Sequence, residues 1–277
     1  MNGIPILINE EKSIFRIKDF LNETDTTFDP QRIKLKTLAK KFLPSISKNL
    51  KAKQNYKIFT DMLLTHFTHP RVLVIGGGIP GDGMEPLLNS PVQLVETDVS
   101  LGPRTKIVAD AHNLPFRENS FDGVVVQAVL EHVINPYQCV AEITRVLKTD
   151  GYVYAETPFM QQVHMAPYDF TRFTYLGHRF LFDQYDVLES GSALGPGSAL
   201  AWSYMYFLMS FTHNKWIKYV LMGWAHLTGF WLKYFDYYLI EKEDALDAAS
   251  GYYFIFQKRH ETLSHNELLK SFKGGSL

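Results

Sequence analysis

The sequence has one cysteine, Cys139, in 277 residues. That excludes an intrachain disulfide framework and any centre built from several thiolates, and it fits a reducing compartment, so a cytoplasmic location is expected. An excess of charge of one sign is missing too: 28 Lys and Arg against 29 Asp and Glu leave a formal net charge of -1. A chain balanced in this way lacks the overall basic field that nucleic-acid binding draws on, and no nucleic-acid partner is expected. Long apolar runs are absent. The first short one, Ile4 to Ile8, gives way to Glu10, Glu11 and Lys12 and is too short for the core of a signal peptide, so no export signal is expected. Two later runs, Ala199 to Phe211 and Tyr219 to Leu232, are separated by His213, Asn214, Lys215 and Lys218, and each falls short of the roughly 20 residues a spanning helix needs.

What is present is a 46% hydrophobic content, enough for a large core, over a length that fits one α/β domain with additions. No acid falls between Asp29 and Asp61, which leaves a local basic stretch from Arg32 to Lys57. Asp29 followed by Pro30 is a helix-start signal, and Ile33, Leu35, Leu38, Phe42 and Leu43 supply an apolar face. A second helical pattern, with Phe59, Met62, Leu63 and Phe67, runs to His69, Pro70 and Arg71, where short β-branched runs begin. The expected division is an N-terminal helical cap over 1–68, a main domain over 69–260 and a tail over 261–277.

Within the main domain, VLVIGG, VQLVET, KIVAD, GVVVQA and YVYAE read as five strands separated by helical patterns, with YDVLES a sixth and GYYFIFQK a seventh. This alternation predicts a doubly wound, mostly parallel seven-stranded sheet with helices on both faces. One helix is sharply marked: Asn135 as N-cap, Pro136 at the first position, Val140, Ile143, Val146 and Leu147 on one face, and Gly151 as terminator. Cys139 falls on that apolar side, so a buried thiol is expected.

The first strand opens directly into Gly76 to Gly83, GGGIPGDG. A glycine-rich turn there lets the backbone approach a ligand at the carboxyl edge, where open α/β sheets bind cofactors. Its spacing departs from the dinucleotide pattern G-x-G-x-x-G, and Pro80 removes an amide. The second strand ends at Glu96, Thr97 and Asp98. A carboxylate at such a strand end can accept from both ribose hydroxyls; Asp98 is the first choice, with Glu96, of the same strand parity, as fallback.

The string DAHNLPF, NSFDGVVVQAVLEHV, EITRVLKTDGYVYAETPF resembles the class I S-adenosylmethionine-dependent methyltransferases of the type 11 group, over roughly Val72 to Gly191 with the last strand beyond an insert. The resemblance implies that Gly76, Gly78 and Gly81 form the cofactor loop, that Asp98 binds the ribose, and that Asp110 and Ala111 contact adenine. It places Gln127 and Ala128 beside the methionine half of S-adenosylmethionine. The chain departs from the pattern in carrying Val74 where an acid is usual, in an extra residue near Ile79 and Pro80, and in the short interval from Asp98 to Asp110, which predicts a more open pocket on that side.

Methyl transfer from a sulfonium needs mainly a positioned acceptor and excluded water. Glu131 and His132 follow strand four, where such a pair is often structural in this family. After strand five, His164, Tyr168, Asp169 and Arg172 crowd a segment resembling H-x-x-P-x-D-F-x-R-F-T, found in a subset of these enzymes. His164 is expected to take a proton from, or orient, the acceptor, with Asp169 and Arg172 holding the loop or binding a polar group. A purely structural Asp169–Arg172 pair is the alternative. No grouping of His and acids has metal-ligand spacing, and no metal is expected.

All four tryptophans, Trp202, Trp216, Trp224 and Trp231, fall in a helical insert at about 198–247. Two readings stand: a lid on the sheet, or a surface at the membrane interface through 198–240, where Trp, Tyr and Lys are favoured. The expected activity is methyl transfer to oxygen or nitrogen of a small or lipid-like acceptor. The alternatives are a non-catalytic S-adenosylmethionine-binding protein and a nicotinamide-dependent oxidoreductase, the latter opposed by the glycine spacing and DAHNLPF.

Overall fold

Val, Ile and Leu dominate the run Val72 to Ile75 with no polar alternation, as a strand buried on both faces requires. In the computed structural model, which describes residues 3–21, 43–259 and 261–275, this run is β1 (Arg71–Ile75), an interior strand of a seven-stranded sheet. Parallel neighbours flank it, β2 (Gln93–Asp98) on one side and β4 (Phe121–Gln127) on the other. β3 (Ile107–Val108) lies outside β2, and β5 (Leu147–Pro158) lies parallel to β4. Antiparallel β7 (Gly251–Lys258) separates β5 from β6 (Tyr185–Leu194), giving the order 3-2-1-4-5-7-6. The sheet is the expected one. Its topological switch point lies between β1 and β4, and their carboxyl ends open the crevice where such sheets bind ligands.

Strand parity sorts the core. Leu73, Ile75, Val124 and Val126 pack with α4 (Pro136–Val146) on one face. Val72, Val74 and Val125 pack on the other face with Tyr56, Phe59 and Leu63 of α2 (Ala52–His66). Asn135 caps α4 as expected, its Oδ1 accepting from the Gln138 N–H at 3.1 Å, and Cys139 is buried. The helix stops at Val146, short of Gly151: Leu147 is extended and pairs with Phe121, because the long fifth strand begins there. The remaining short helices are α1 (Ile17–Leu21) and α3 (Glu85–Leu88) before this point and α5 (Tyr175–Leu181) after it.

The edge beyond β3 is covered by the N-terminal segment. Val108 donates to Pro5 O at 2.9 Å and accepts from Leu7 N at 2.8 Å, so the apolar run Ile4 to Ile8 lies along the sheet edge. Ile8, Phe20 and Val108 form a small core there. The helix expected after Asp29 and Pro30 lies outside the described residues, apart from Leu43.

Between β6 and β7 stand α6 (Pro196–Met209), α7 (Lys215–Gly229), a 3-10 turn (Phe230–Phe235), α8 (Asp236–Leu239) and a second 3-10 turn (Glu243–Leu246). Buried Asp236 caps α6, accepting from the Gly197 and Ser198 amides and from Ser198 Oγ at 2.7–3.0 Å. A carboxylate there complements the positive end of the helix dipole. Among the described residues no helix is long and apolar enough to cross a membrane. A last short helix, α9 (His265–Lys270), follows β7.

Candidate active site

Glycine at 76 answers a turn that other residues resist: its φ is +71°, and a Cβ would stand 2.5 Å from Val129 Cγ2. Two residues on, the Gly78 amide donates to Asp98 Oδ2 at 2.9 Å, and a Cβ there would crowd that oxygen. The loop after β1 is therefore stitched to the end of β2. Asp98 also accepts from Ser100 Oγ at 2.8 Å; burial pushes its carboxyl above the usual range, while these hydrogen bonds pull the other way. Glu96, the fallback, is 2% exposed and accepts from Arg104 Nε at 2.5 Å, with Lys106 Nζ 3.3 Å away, so its oxygens serve ion pairs under the sheet edge.

Asp110, next along the same edge, is enclosed. Its Oδ1 accepts from the His112 amide at 2.9 Å and His112 Nδ1 at 2.6 Å, and Oδ2 accepts from Ser13 Oγ of the N-terminal segment. Burial alone would raise this carboxyl; the hydrogen bonds from His112 and Ser13 outweigh it and hold the group below its ordinary value. The other imidazole nitrogen, Nε2, accepts from the Asn135 amide at 3.1 Å, which ties this corner to the start of α4. Ala111 is buried in the main core.

At the end of β4, Gln127 is also engaged. Its Oε1 accepts from Tyr56 Oη at 2.8 Å, and its Nε2 donates to Glu156 Oε2 at 2.8 Å and Asp82 O at 3.2 Å. Glu156, at the end of β5, further accepts from Asn49 Nδ2 at 3.0 Å and from Tyr154 Oη. Burial raises its carboxyl, and the Tyr154, Gln127 and Asn49 donors oppose that. Ala128, exposed and at φ +54°, donates to Glu156 O at 3.0 Å. Tyr56, Asn49 and Glu156 were missed in the sequence. Only Glu156 carried a signal there, as an acid ending a strand at the carboxyl edge.

The loop after β5 holds the other expected residues together. Arg172 forms a two-pronged pair with Asp169, Nη2 to Oδ2 at 2.8 Å and Nη1 to Oδ1, and donates to the carbonyls of Gln161, Gln162 and Thr171. Asp169 also accepts from the His164 amide at 2.6 Å. Burial would raise its carboxyl; the Arg172 and His164 hydrogen bonds hold it below its usual range. The His164 ring stands 4.9 Å from that of His132, nearly perpendicular, and 6.5 Å from Trp202 of α6. Glu131 lies beneath them, fully buried, with neither carboxylate oxygen hydrogen-bonded among the described residues. Its carboxyl is pushed up to about 8 by burial. Chain spacing alone predicts no grouping of His and acids. In space Glu131, His132 and His164 do group, their ligand atoms all within 4.8 Å. The long chain separation of His132 and His164 hides this, because two different loops close on one point.

Residues 81–155 match the family profile described as a methyltransferase domain. Over those residues the chain matches a methyltransferase domain, and its seven-stranded sheet has the strand order of that fold. The demethylmenaquinone methyltransferase of Paenarthrobacter aurescens (strain TC1) is 35% identical over 91 residues, 29% of this chain and 36% of that protein. The match thus spans little more than a third of that curated relative. Among solved structures, phosphoethanolamine N-methyltransferase 2 of Haemonchus contortus, in complex with phosphomonomethylethanolamine and S-adenosylhomocysteine, aligns at a TM-score of 0.51 and 14% identity, covering 90% of this chain and 61% of that one. A structure from Galdieria sulphuraria, assigned as a sarcosine dimethylglycine methyltransferase, aligns at 0.50 and 14% identity, covering 76% and 86%. These two likenesses show the fold. In the methyltransferase domain the matched stretch contains Gly81, Asp98, Asp110, Ala111, Gln127 and Ala128; Gly76 and Gly78 precede it, and His164, Asp169 and Arg172 follow.

Proposed function

We propose that the methyltransferase domain binds S-adenosylmethionine across the carboxyl ends of β1, β2 and β4 and passes its methyl group to oxygen or nitrogen of a small or lipid-like acceptor. The contact that carries this reading is the Gly78 amide on Asp98, 2.9 Å, which sets a glycine loop and a half-buried carboxylate side by side at the switch point. The residues fit the cofactor: glycines where a Cβ would block approach, and an acid with acceptor capacity toward ribose hydroxyls. S-adenosylmethionine supplies the electrophilic methyl. The chain's part is to hold the loop through Gly76, Gly78 and Gly81, to line the adenine side with Ala111, and to orient the acceptor from the His164 side. Asp110 and Gln127 act on this cleft by fixing its walls, because their side chains are occupied by Ser13, His112, Tyr56 and Glu156. Asp169 and Arg172 shape the acceptor loop.

The relative from Paenarthrobacter aurescens, named for demethylmenaquinone, supports an acceptor that partitions into lipid. The insert supports it too. α6 reaches the acceptor loop, with Gln162 Nε2 donating to Ser203 Oγ at 3.0 Å and Tyr206 Oη to Val163 O at 2.6 Å. α7 turns outward, with Trp216 68% and Trp224 58% exposed. We propose that α7 touches a membrane surface while α6 covers the site, with the bulk of the protein in the cytoplasm.

The deciding experiment is incubation with methyl-labelled S-adenosylmethionine and fractionated cell extract, beside calorimetric titration of the cofactor. Saturable binding with label appearing in one fraction, lipid or aqueous, supports the reading and names the acceptor class. Binding without transfer to any fraction converts the protein to a non-catalytic binder, a role the saturated Gln127 and Asp110 side chains would also suit. Binding of reduced nicotinamide nucleotide in its place would overturn both.

A further inference from the structure

Glu131 is 0% exposed, and its two carboxylate oxygens have no hydrogen-bond partner among the described residues. Buried polar groups are ordinarily paired, because desolvation without a partner is costly whichever protonation state holds. As a carboxylate Glu131 has no donor beyond the weak pull of its own backbone N–H, which burial outweighs. As a neutral acid it lacks an acceptor for its O–H, since His132 Nε2 at 3.6 Å and His164 Nε2 at 3.9 Å lie beyond hydrogen-bonding distance.

Both imidazoles are oriented from behind. His132 Nδ1 is 2.6 Å from Tyr168 O, which fixes the proton on Nδ1 and turns Nε2 toward Glu131. His164 Nδ1 faces Gln162 O at 3.3 Å and Asp169 Oδ2 at 3.6 Å. Arg172 Nη2, 3.4 Å from the same nitrogen, gives its two hydrogens to Asp169 Oδ2 at 2.8 Å and Gln162 O at 3.1 Å, so His164 Nδ1 also carries a proton. Such a carbonyl or carboxylate behind the non-ligating nitrogen is the usual outer partner of a metal-binding histidine. The two loops are locked to each other as well, since Glu131 O accepts from the Phe170 and Thr171 amides at 2.8 and 3.3 Å.

We propose that Glu131, His132 and His164 bind a divalent first-row transition-metal ion. Donors about 2.0–2.2 Å from a tetrahedral ion stand roughly 3.3–3.5 Å apart. The two Glu131 distances, 3.6 and 3.9 Å, need contraction by a few tenths of an ångström, and the two imidazole nitrogens, which with the carboxylate all lie within 4.8 Å of one another, need a larger approach of the two loops. Two imidazoles and one carboxylate suit an ion of intermediate softness and leave coordination positions for an oxygen donor. The His132 and His164 side chains are 15% and 25% exposed, which gives an entry path that Glu131 itself lacks. The ion's charge offsets the burial that holds the Glu131 carboxyl high. With the ion in place His164 is a ligand, and contact with an acceptor passes to the open positions.

The site stands apart from the methyl-donor reading, and its test uses neither S-adenosylmethionine nor acceptor. Untagged, chelator-washed protein is titrated with cobalt(II) chloride, reading the visible absorption of the bound ion, and then with zinc chloride in competition. The expected result is saturable one-to-one binding displaced by zinc, weakened about tenfold or more in Glu131→Gln and in His164→Ala. Glu131→Gln preserves shape; His164→Ala changes a part-exposed loop and serves where the first variant fails to fold. No saturable cobalt spectrum in the unaltered protein overturns the proposal, as does equal affinity in a folded variant. S-adenosylmethionine affinity measured on the same samples shows separately whether the cofactor reading holds.

Discussion

Gly81 and Gln127 lie so close that a Cβ on the glycine would stand 1.8 Å from Gln127 Oε1, the same oxygen that accepts from Tyr56. The loop after β1, the end of β4 and helix α2 therefore share one atom. Gly81→Ala must displace the amide and break its bonds to Tyr56 and Glu156, leaving buried polar groups unpaired. The expected cost is roughly 1–3 kcal/mol of stability, accompanied by weaker cofactor binding. Gly223→Ala is the control: in helix α7 nothing lies within 4 Å of the added carbon. That change should be neutral or stabilising by up to about 1 kcal/mol. Urea midpoints of the two variants check the contrast, and equal midpoints would contradict the packing.

Asp98 and Glu96 share a strand face but serve different partners. Asp98→Asn should lower S-adenosylmethionine affinity by about tenfold or more in calorimetry and leave the thermal midpoint little changed. Glu96→Gln should do the opposite: Arg104 and Lys106 lose a buried counter-charge, so stability falls while affinity changes less. Equal loss of affinity in both variants would remove Asp98 from the ribose role.

The sheet was legible because each strand is a short run of branched apolar residues between turn signals, and the switch point follows from strand order. The division between Asp98 and Glu96 was not, since parity treats them alike; what separates them is Arg104 and Lys106 arriving from the loop before β3. The third strand stops at Val108, so Asp110 lies past its end rather than at it, and Ser13, 97 residues earlier in the chain, could not be foreseen as its partner. Nor could the grouping of Glu131 with His164, because nothing local in either loop records that they meet. Contacts between residues distant in the chain are set by topology, and no periodicity encodes them.

His178 gives the fold an acid limit. It is fully buried beside Phe254 and Phe182, with Thr157 Oγ1 2.9 Å from Nδ1 and no partner for Nε2 among the described residues, and burial lowers its pKa to about 3. The unfolded chain takes up this proton near pH 6.5, while the folded chain resists it. Stability from this group is therefore present above pH 6.5 and lost as pH falls toward 3, at up to about 1.4 kcal/mol per pH unit. In His178→Asn, where an amide oxygen can still face Thr157, the acid limb should be shallower. Denaturation midpoints from pH 7 to 4 test this, and parallel curves would rule out His178 as the cause.

Helix α7 separates the two readings of the insert. Its Trp216 and Trp224 are 68% and 58% exposed, with Val220 at 71%, while Ala225 packs inward. Lysines border this aromatic surface: Lys215 lies 5.4 Å from the Trp216 ring, and Lys48 and Lys242 lie 5.2 and 4.1 Å from the rings of Tyr237 and Tyr238. Aromatic rings flanked by ammonium groups match the chemistry of an anionic lipid interface. The double variant Trp216→Ala, Trp224→Ala removes mostly exposed surface, so its thermal midpoint should move little. Its co-sedimentation with anionic liposomes should fall severalfold at low salt, and the unaltered protein should release as salt rises. If α7 instead belongs to a lid, the variant should sediment like the unaltered protein and show a changed KM for the acceptor. Unaltered protein that stays in the supernatant at low salt would remove the membrane from the account and leave α6 and α7 as cover for the site alone.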